Sequence, residues 1–102
     1  MSDITQGRIK LVNRIVEGVG TASLSERRAA FNNSGVAEAL CALVDKVAMH
    51  PNSVTEEDID AAKTSGFSED QVFEIVVCAA IGQATRQYEA AFAALQAATR
   101  KE

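Results

Sequence analysis

The sequence predicts an all-α domain, and three observations predict it. Eighteen alanines stand against one proline and six glycines, a composition that favours closely packed helices over sheet or disorder. Apolar residues recur at three- and four-residue spacing along most of the chain. Three segments open with a capping box, at Ser23-Leu24-Ser25-Glu26, Thr55 to Asp58 and Ser68 to Gln71. With 102 residues, 47% of them apolar and 24% charged, the chain reads as a single domain over residues 1–102. A chain of this size buries about 65% of its unfolded surface without disulfide staples.

The elements follow in order. Ile4, Leu11, Val12, Ile15, Val16 and Val19 share one side of a helical wheel, which places a first helix near residues 3–19. Gly20 then stands where a left-handed C-terminal residue is expected. The Ser23 capping box opens a second helix near 24–32, closed by the turn formers Asn32-Asn33-Ser34-Gly35. Val36, Leu40, Leu43, Val44 and Val47 predict a third helix of about four turns, stopped at His50 because Pro51 disfavours helical geometry in the residue before it. Thr55 caps a short fourth helix closed by Gly66, with Val54 and Ile59 as its hydrophobic staple. Ser68 caps the last helix, with Phe67 and Val72 as the staple.

That last helix is too long for the domain. From Glu69 to Arg100 there is no proline, and a continuous helix would reach about 48 Å, whereas a globule of this length is roughly 34 Å across. Either it breaks near Gly82 or it projects onto another chain. Val72 to Ile81 is apolar nearly all round, the pattern of a central buried helix. Beyond Gly82, Tyr88, Ala91, Phe92 and Leu95 form an apolar stripe. A homo-oligomer held by this C-terminal helix is expected, with the first helix as the competing intramolecular cover.

Charge and cysteine usage exclude several function classes. A net charge of −4 with the ten basic residues spread along the chain leaves no footprint for DNA or RNA. No stretch reaches the roughly 18 apolar residues of a membrane span. Met1-Ser2-Asp3-Ile4-Thr5 lacks the basic and apolar regions of a signal peptide, so a cytoplasmic location is expected. Cys41 and Cys78 lie 37 positions apart and His50 is the single histidine, one ligand short of a zinc site. Neither a metal nor a cofactor is expected.

Residues 54–82 combine a short acidic helix, the turn Gly66-Phe67-Ser68-Glu69 and a Val- and Ala-rich helix with Glu74 near its start. The segment resembles the carboxymuconolactone decarboxylase and alkylhydroperoxidase-like (AhpD-like) superfamily, and Arg27-Arg28-Ala29-Ala30-Phe31-Asn32-Asn33 with the stretch Val36 to His50 extends the similarity to about residues 25–98. The resemblance implies an AhpD-like all-α fold that assembles into trimers or hexamers. It also implies a departure: peroxidatic members carry C-x-x-C-x-x-x-H about a dozen residues after a glutamate, and the matching positions after Glu74 hold neither cysteine nor histidine. Disulfide-cycling peroxidase chemistry has lost its working parts.

Glu74, Cys78 and Arg86 are the candidate catalytic residues. Glu74 and Cys78 are one helical turn apart, with Gly82, Thr85 and Glu89 continuing roughly the same side. Cys78 as nucleophile with Glu74 as proton partner would make a thiol-dependent antioxidant; Glu74 with Arg86 would suit a lyase acting on a small carboxylic acid. The simpler alternatives are that Cys78 packs in the core and Glu74 sits where the helix dipole favours its charge. A neighbouring carboxylate raises a thiol pKa rather than lowering it. Arg86 suits a surface or interface ion pair, His50 a helix C-cap, and Cys41, between Leu40 and Leu43, core packing. The expected role is a non-catalytic interaction or scaffold protein, with the enzyme as its rival.

Overall fold

Five helices follow one another in the computed structural model, which describes residues 2–100 and, from Gln6 onward, their side chains; Ile4, assigned above to the apolar face of the first helix, lies outside the described side chains. They are α1 (Ser2–Glu17), α2 (Leu24–Asn32), α3 (Glu38–Met49), α4 (Glu56–Thr64) and α5 (Glu69–Arg100), with one 3-10 turn at Pro51–Ser53. Among the described residues there is no strand.

All three capping boxes form. Ser23 Oγ accepts from Glu26 N at 3.1 Å and Thr55 Oγ1 from Asp58 N at 3.4 Å. Ser68 N donates to Gln71 Oε1 at 2.8 Å while Gln71 N returns a bond to Ser68 Oγ at 3.1 Å. Each box satisfies N–H groups that the first helical turn leaves without partners. Val54, Ile59 and Phe67, the staple residues, pack half-buried against a core that includes Val72. Helix ends follow the same local chemistry. Asn33 takes the left-handed conformation at φ 48° to close α2, and Gly66 does so at φ 109° after α4. His50 closes α3 through its backbone, its N–H donating to Lys46 O at 2.7 Å.

Gly20 does not have the left-handed role expected of it, since its φ is not positive. Glycine is needed there for room: a Cβ would run into Glu74 Oε1 and come within 3.4 Å of Arg27 Nη1. Gly82 likewise marks a close approach and not a break. A Cβ at Gly82 would collide with the backbone carbonyl of Phe31, where α2 crosses α5. The helix continues through it because one glycine costs only about 1 kcal/mol of helix propensity.

The core is built on the first half of α5. Val72, Ile75, Cys78 and Ala79 are buried against Leu40, Leu43 and Val44 of α3, Ala30 of α2, Ala62 of α4 and Val16 of α1. Burial is one-sided, however: Phe73, on the outer face, is 67% exposed, so an apolar run does not here mean a helix covered all round. Cys41 is exposed and not part of the core, because the core face of α3 is defined by Leu40, Leu43 and Val44, and Cys41 is turned about 100° from Leu40. Its Sγ donates to Val36 O at 3.3 Å.

The second half of α5 runs past the body of the domain. The molecule measures 55 × 28 × 20 Å with a radius of gyration of 15.5 Å, against about 13 Å for a compact chain of this length. α1 covers one side of the projection. Arg8 lies 4.8 Å from the centroid of the Tyr88 ring, which stacks on Phe92 at 5.9 Å, a cation–π contact backed by Glu89 at 4.0 Å from Arg8 Nη2. Ala91 and Leu95 remain exposed. Among the described residues no helix is long and apolar enough to cross a membrane.

Candidate functional site

Glu74 stands in the second turn of α5, its register fixed by the Ser68 cap, and faces the connection between α1 and α2. Its carboxylate accepts from Thr21 N at 2.9 Å, Thr21 Oγ1 at 2.5 Å and Ala22 N at 3.0 Å. Partial burial pushes the carboxyl pKa up, but the hydrogen bonds from Thr21 and Ala22, aided by the Arg27 charge, outweigh it and hold Glu74 below its ordinary value. The group is therefore an ionised anchor with both oxygens engaged, which suits it poorly to donating a proton.

Arg27 grips the same connection from α2. It is only 4% exposed, and its Nε donates to Ala22 O at 3.2 Å while Nη1 donates to Gly18 O at 2.6 Å and Ile15 O at 3.4 Å. Glu74 thus takes the N–H groups of Thr21 and Ala22, Arg27 the carbonyls of Gly18 and Ala22, and Gln71 Nε2 that of Thr21 at 3.2 Å, so that a segment without regular structure is held by charged and polar side chains. Sequence reasoning missed Arg27 as a site residue. The one available signal was its position three residues before Ala30, on the side that α2 turns inward.

The other two candidates lie elsewhere. Cys78 is fully buried, with Sγ 3.7 Å from Ile15 O. Burial pushes its thiol pKa up; the Arg27 charge opposes this, and the Glu74 charge adds to it. A protonated, sealed thiol is a weak nucleophile. Arg86 is three turns further along α5, about 18 Å from Glu74 in helical rise. Its Nη1 donates to Phe31 O at 2.6 Å and Nη2 to Gln83 Oε1 at 3.0 Å, so it caps the C-terminal end of α2, with no ion pair among the described residues. Glu74, Cys78 and Arg86 share a helix and not a cleft.

A cleft does open beside Glu74. It has a volume of about 230 Å³ and is lined by Arg14, Ile15 and Val19 from α1 and the residues after it, by Arg27, and by Phe73, Glu74 and Val77. Neither Cys78 nor Arg86 contributes to it. Among the described residues no group of three or more His, Cys, Asp or Glu gathers to hold a metal ion. Comparison with protein-family models, curated proteins and solved structures finds no match to this chain.

Proposed function

We propose that this chain is a small cytoplasmic homo-oligomer of the AhpD-like kind, lacking the peroxidatic cysteine motif, that serves as an interaction or scaffold protein. The observation that carries this reading is the projecting half of α5. Ala84, Ala91 and Leu95 lie on one face at seven- and four-residue separations, all exposed, with exposed Ala80 continuing that face one turn back toward the body, while α1 occupies the neighbouring face through Tyr88. Small side chains let a second helix approach closely, and a long apolar stripe left open on one chain invites closure by a symmetric copy. The AhpD-like part of the reading rests on the sequence pattern of residues 54–82. The chemistry of the candidate residues supports a non-catalytic role: Glu74 and Arg86 hold backbone groups, and Cys78 is buried.

Light scattering is the direct test. The wild type is expected at a multiple of 10.8 kDa, and Ala84→Glu, which sets a charge in the seam, is expected to shift the mass toward the monomer with helicity retained. A wild-type mass of one chain at micromolar concentration would overturn the proposal. Peroxide turnover with a dithiol reductant, abolished by Cys78→Ser, would overturn the non-catalytic part alone.

A further inference from the structure

The cleft beside Glu74 has an electrostatic imbalance. Arg14 and Arg27, two cations, line it together with one anion, Glu74. Among the described residues no carboxylate lies within ion-pairing distance of either arginine, the ion pairs being Arg8 with Glu89, Arg28 with Glu17, Lys46 with Asp58 and Lys63 with Glu69. Glu74 is held by Thr21 and Ala22 and acts on Arg27 only through space. Arg27 is a buried cation whose Nε and Nη1 are bound to carbonyls, while Nη2 has no acceptor among the described residues. Glu74 is the nearby counter-charge to Arg27, and a guanidinium edge left without an acceptor is shaped to take a carboxylate.

The remaining walls are apolar. Val19 and Phe73, both exposed, stand with Ile15 and half-buried Val77 around the same opening. Two arginines and an apolar wall around one concavity describe a site for a small amphipathic anion. A volume of about 230 Å³ admits a short-chain acid.

We infer that this cleft binds a small monocarboxylate with a short aliphatic tail, the carboxylate between Arg14 and Arg27 and the tail along Val19, Phe73 and Val77. Glu74 sets the specificity: its fixed negative charge repels a second carboxylate, so a dicarboxylate is disfavoured. The site adjoins the subunit seam proposed above, since Phe73, Val77, Ala80 and Ala84 follow one another at four-, three- and four-residue spacing on one face of α5.

Hexanoate is the probe, titrated into the full-length ¹⁵N-labelled chain with hexanamide, hexylamine and adipate as comparisons. Saturable shifts of the Val19, Phe73 and Val77 amides are expected with hexanoate, at least tenfold weaker binding of hexanamide and adipate, and no response to hexylamine. Arg27 also anchors backbone, so Arg14→Gln carries the test of charge: it is expected to weaken hexanoate at least fivefold with the circular dichroism spectrum unchanged, and Phe73→Ala is expected to do the same through the tail. Absence of saturable shifts, equal binding of hexanamide, or undiminished affinity in Arg14→Gln would each overturn the inference. The mass of the wild type and of Arg14→Gln, read without hexanoate, tests the oligomer separately.

Discussion

Glu74 shows how much of this fold hangs on single polar side chains. Glu74→Ala leaves the N–H groups of Thr21 and Ala22 without their acceptor, and a charge-assisted hydrogen bond of this kind contributes about 2 kcal/mol. A drop of that size in the urea unfolding free energy is expected, with an unchanged denaturant slope. The same group sets a pH dependence. Glu74 and Asp58 both have folded pKa values below their ordinary 4.5 and 3.8. For Asp58 the cause is chiefly the Thr55 backbone N–H, with Lys46 assisting at 3.0 Å. Between the folded and unfolded values the unfolded chain binds more protons, so stability rises with pH there. The contribution is complete above the unfolded values and is lost as pH falls through the folded ones. Urea midpoints measured from pH 7 to pH 3 are expected to hold steady at first and then fall in acid, and Glu74→Gln is expected to flatten that fall. An equally steep fall in the variant would remove Glu74 from the account.

Among the elements, the α2–α5 crossing and the helix propensity of α5 make opposite demands on a single methyl group at Gly82. Gly82→Ala improves helix propensity by about 1 kcal/mol, yet its Cβ would meet the Phe31 carbonyl, which is backbone and cannot swing aside. Overpacking costs about 1–3 kcal/mol, occasionally more. Here the obstruction decides the sign, and a net loss of up to about 2 kcal/mol is expected in thermal or urea unfolding. A variant as stable as the wild type would mean that the two helices do not cross so closely. Ser68→Ala removes the acceptor for Gln71 N and is expected to cost about 1 kcal/mol. Unfolding that matched wild type in midpoint and slope would deny Ser68 its capping role.

At the scale of the whole molecule, the length of α5 decides the shape. Phe92 lies on the side of the projection that α1 covers, stacked on Tyr88 beneath Arg8. Phe92→Asp is therefore expected to loosen α1, seen as faster hydrogen exchange of the α1 amides, while Ala84→Glu on the exposed face leaves α1 exchange unchanged. Identical exchange in the two variants would mean that α1 does not dock on this part of α5. The apolar stripe expected from Tyr88, Ala91, Phe92 and Leu95 is thus divided: α1 covers Tyr88 and Phe92, and the face carrying Ala91 and Leu95 remains open.

Local chemistry was legible in the order of residues. The helix starts at Ser23, Thr55 and Ser68, the stops at the Asn32–Gly35 turn and at Gly66 and the core positions of α3 and α5 depend on groups within a few residues of one another, and local pattern carries that information. Cys41 was misplaced because its neighbours in sequence, Leu40 and Leu43, are core residues, while a turn of about 100° per residue puts it on the other side. The roles of Gly20, Gly82, Arg27 and Arg86 depended on what lies opposite them, at separations of up to 55 residues along the chain. Glu74 and Arg86 stand near one another in sequence as plausible catalytic groups, yet one holds the α1–α2 connection and the other the end of α2. The cleft with its two arginines likewise brings together α1, α2 and α5. Which backbone groups a charged side chain satisfies is set by helix packing, because hydrogen bonds of this reach form only after the helices have docked.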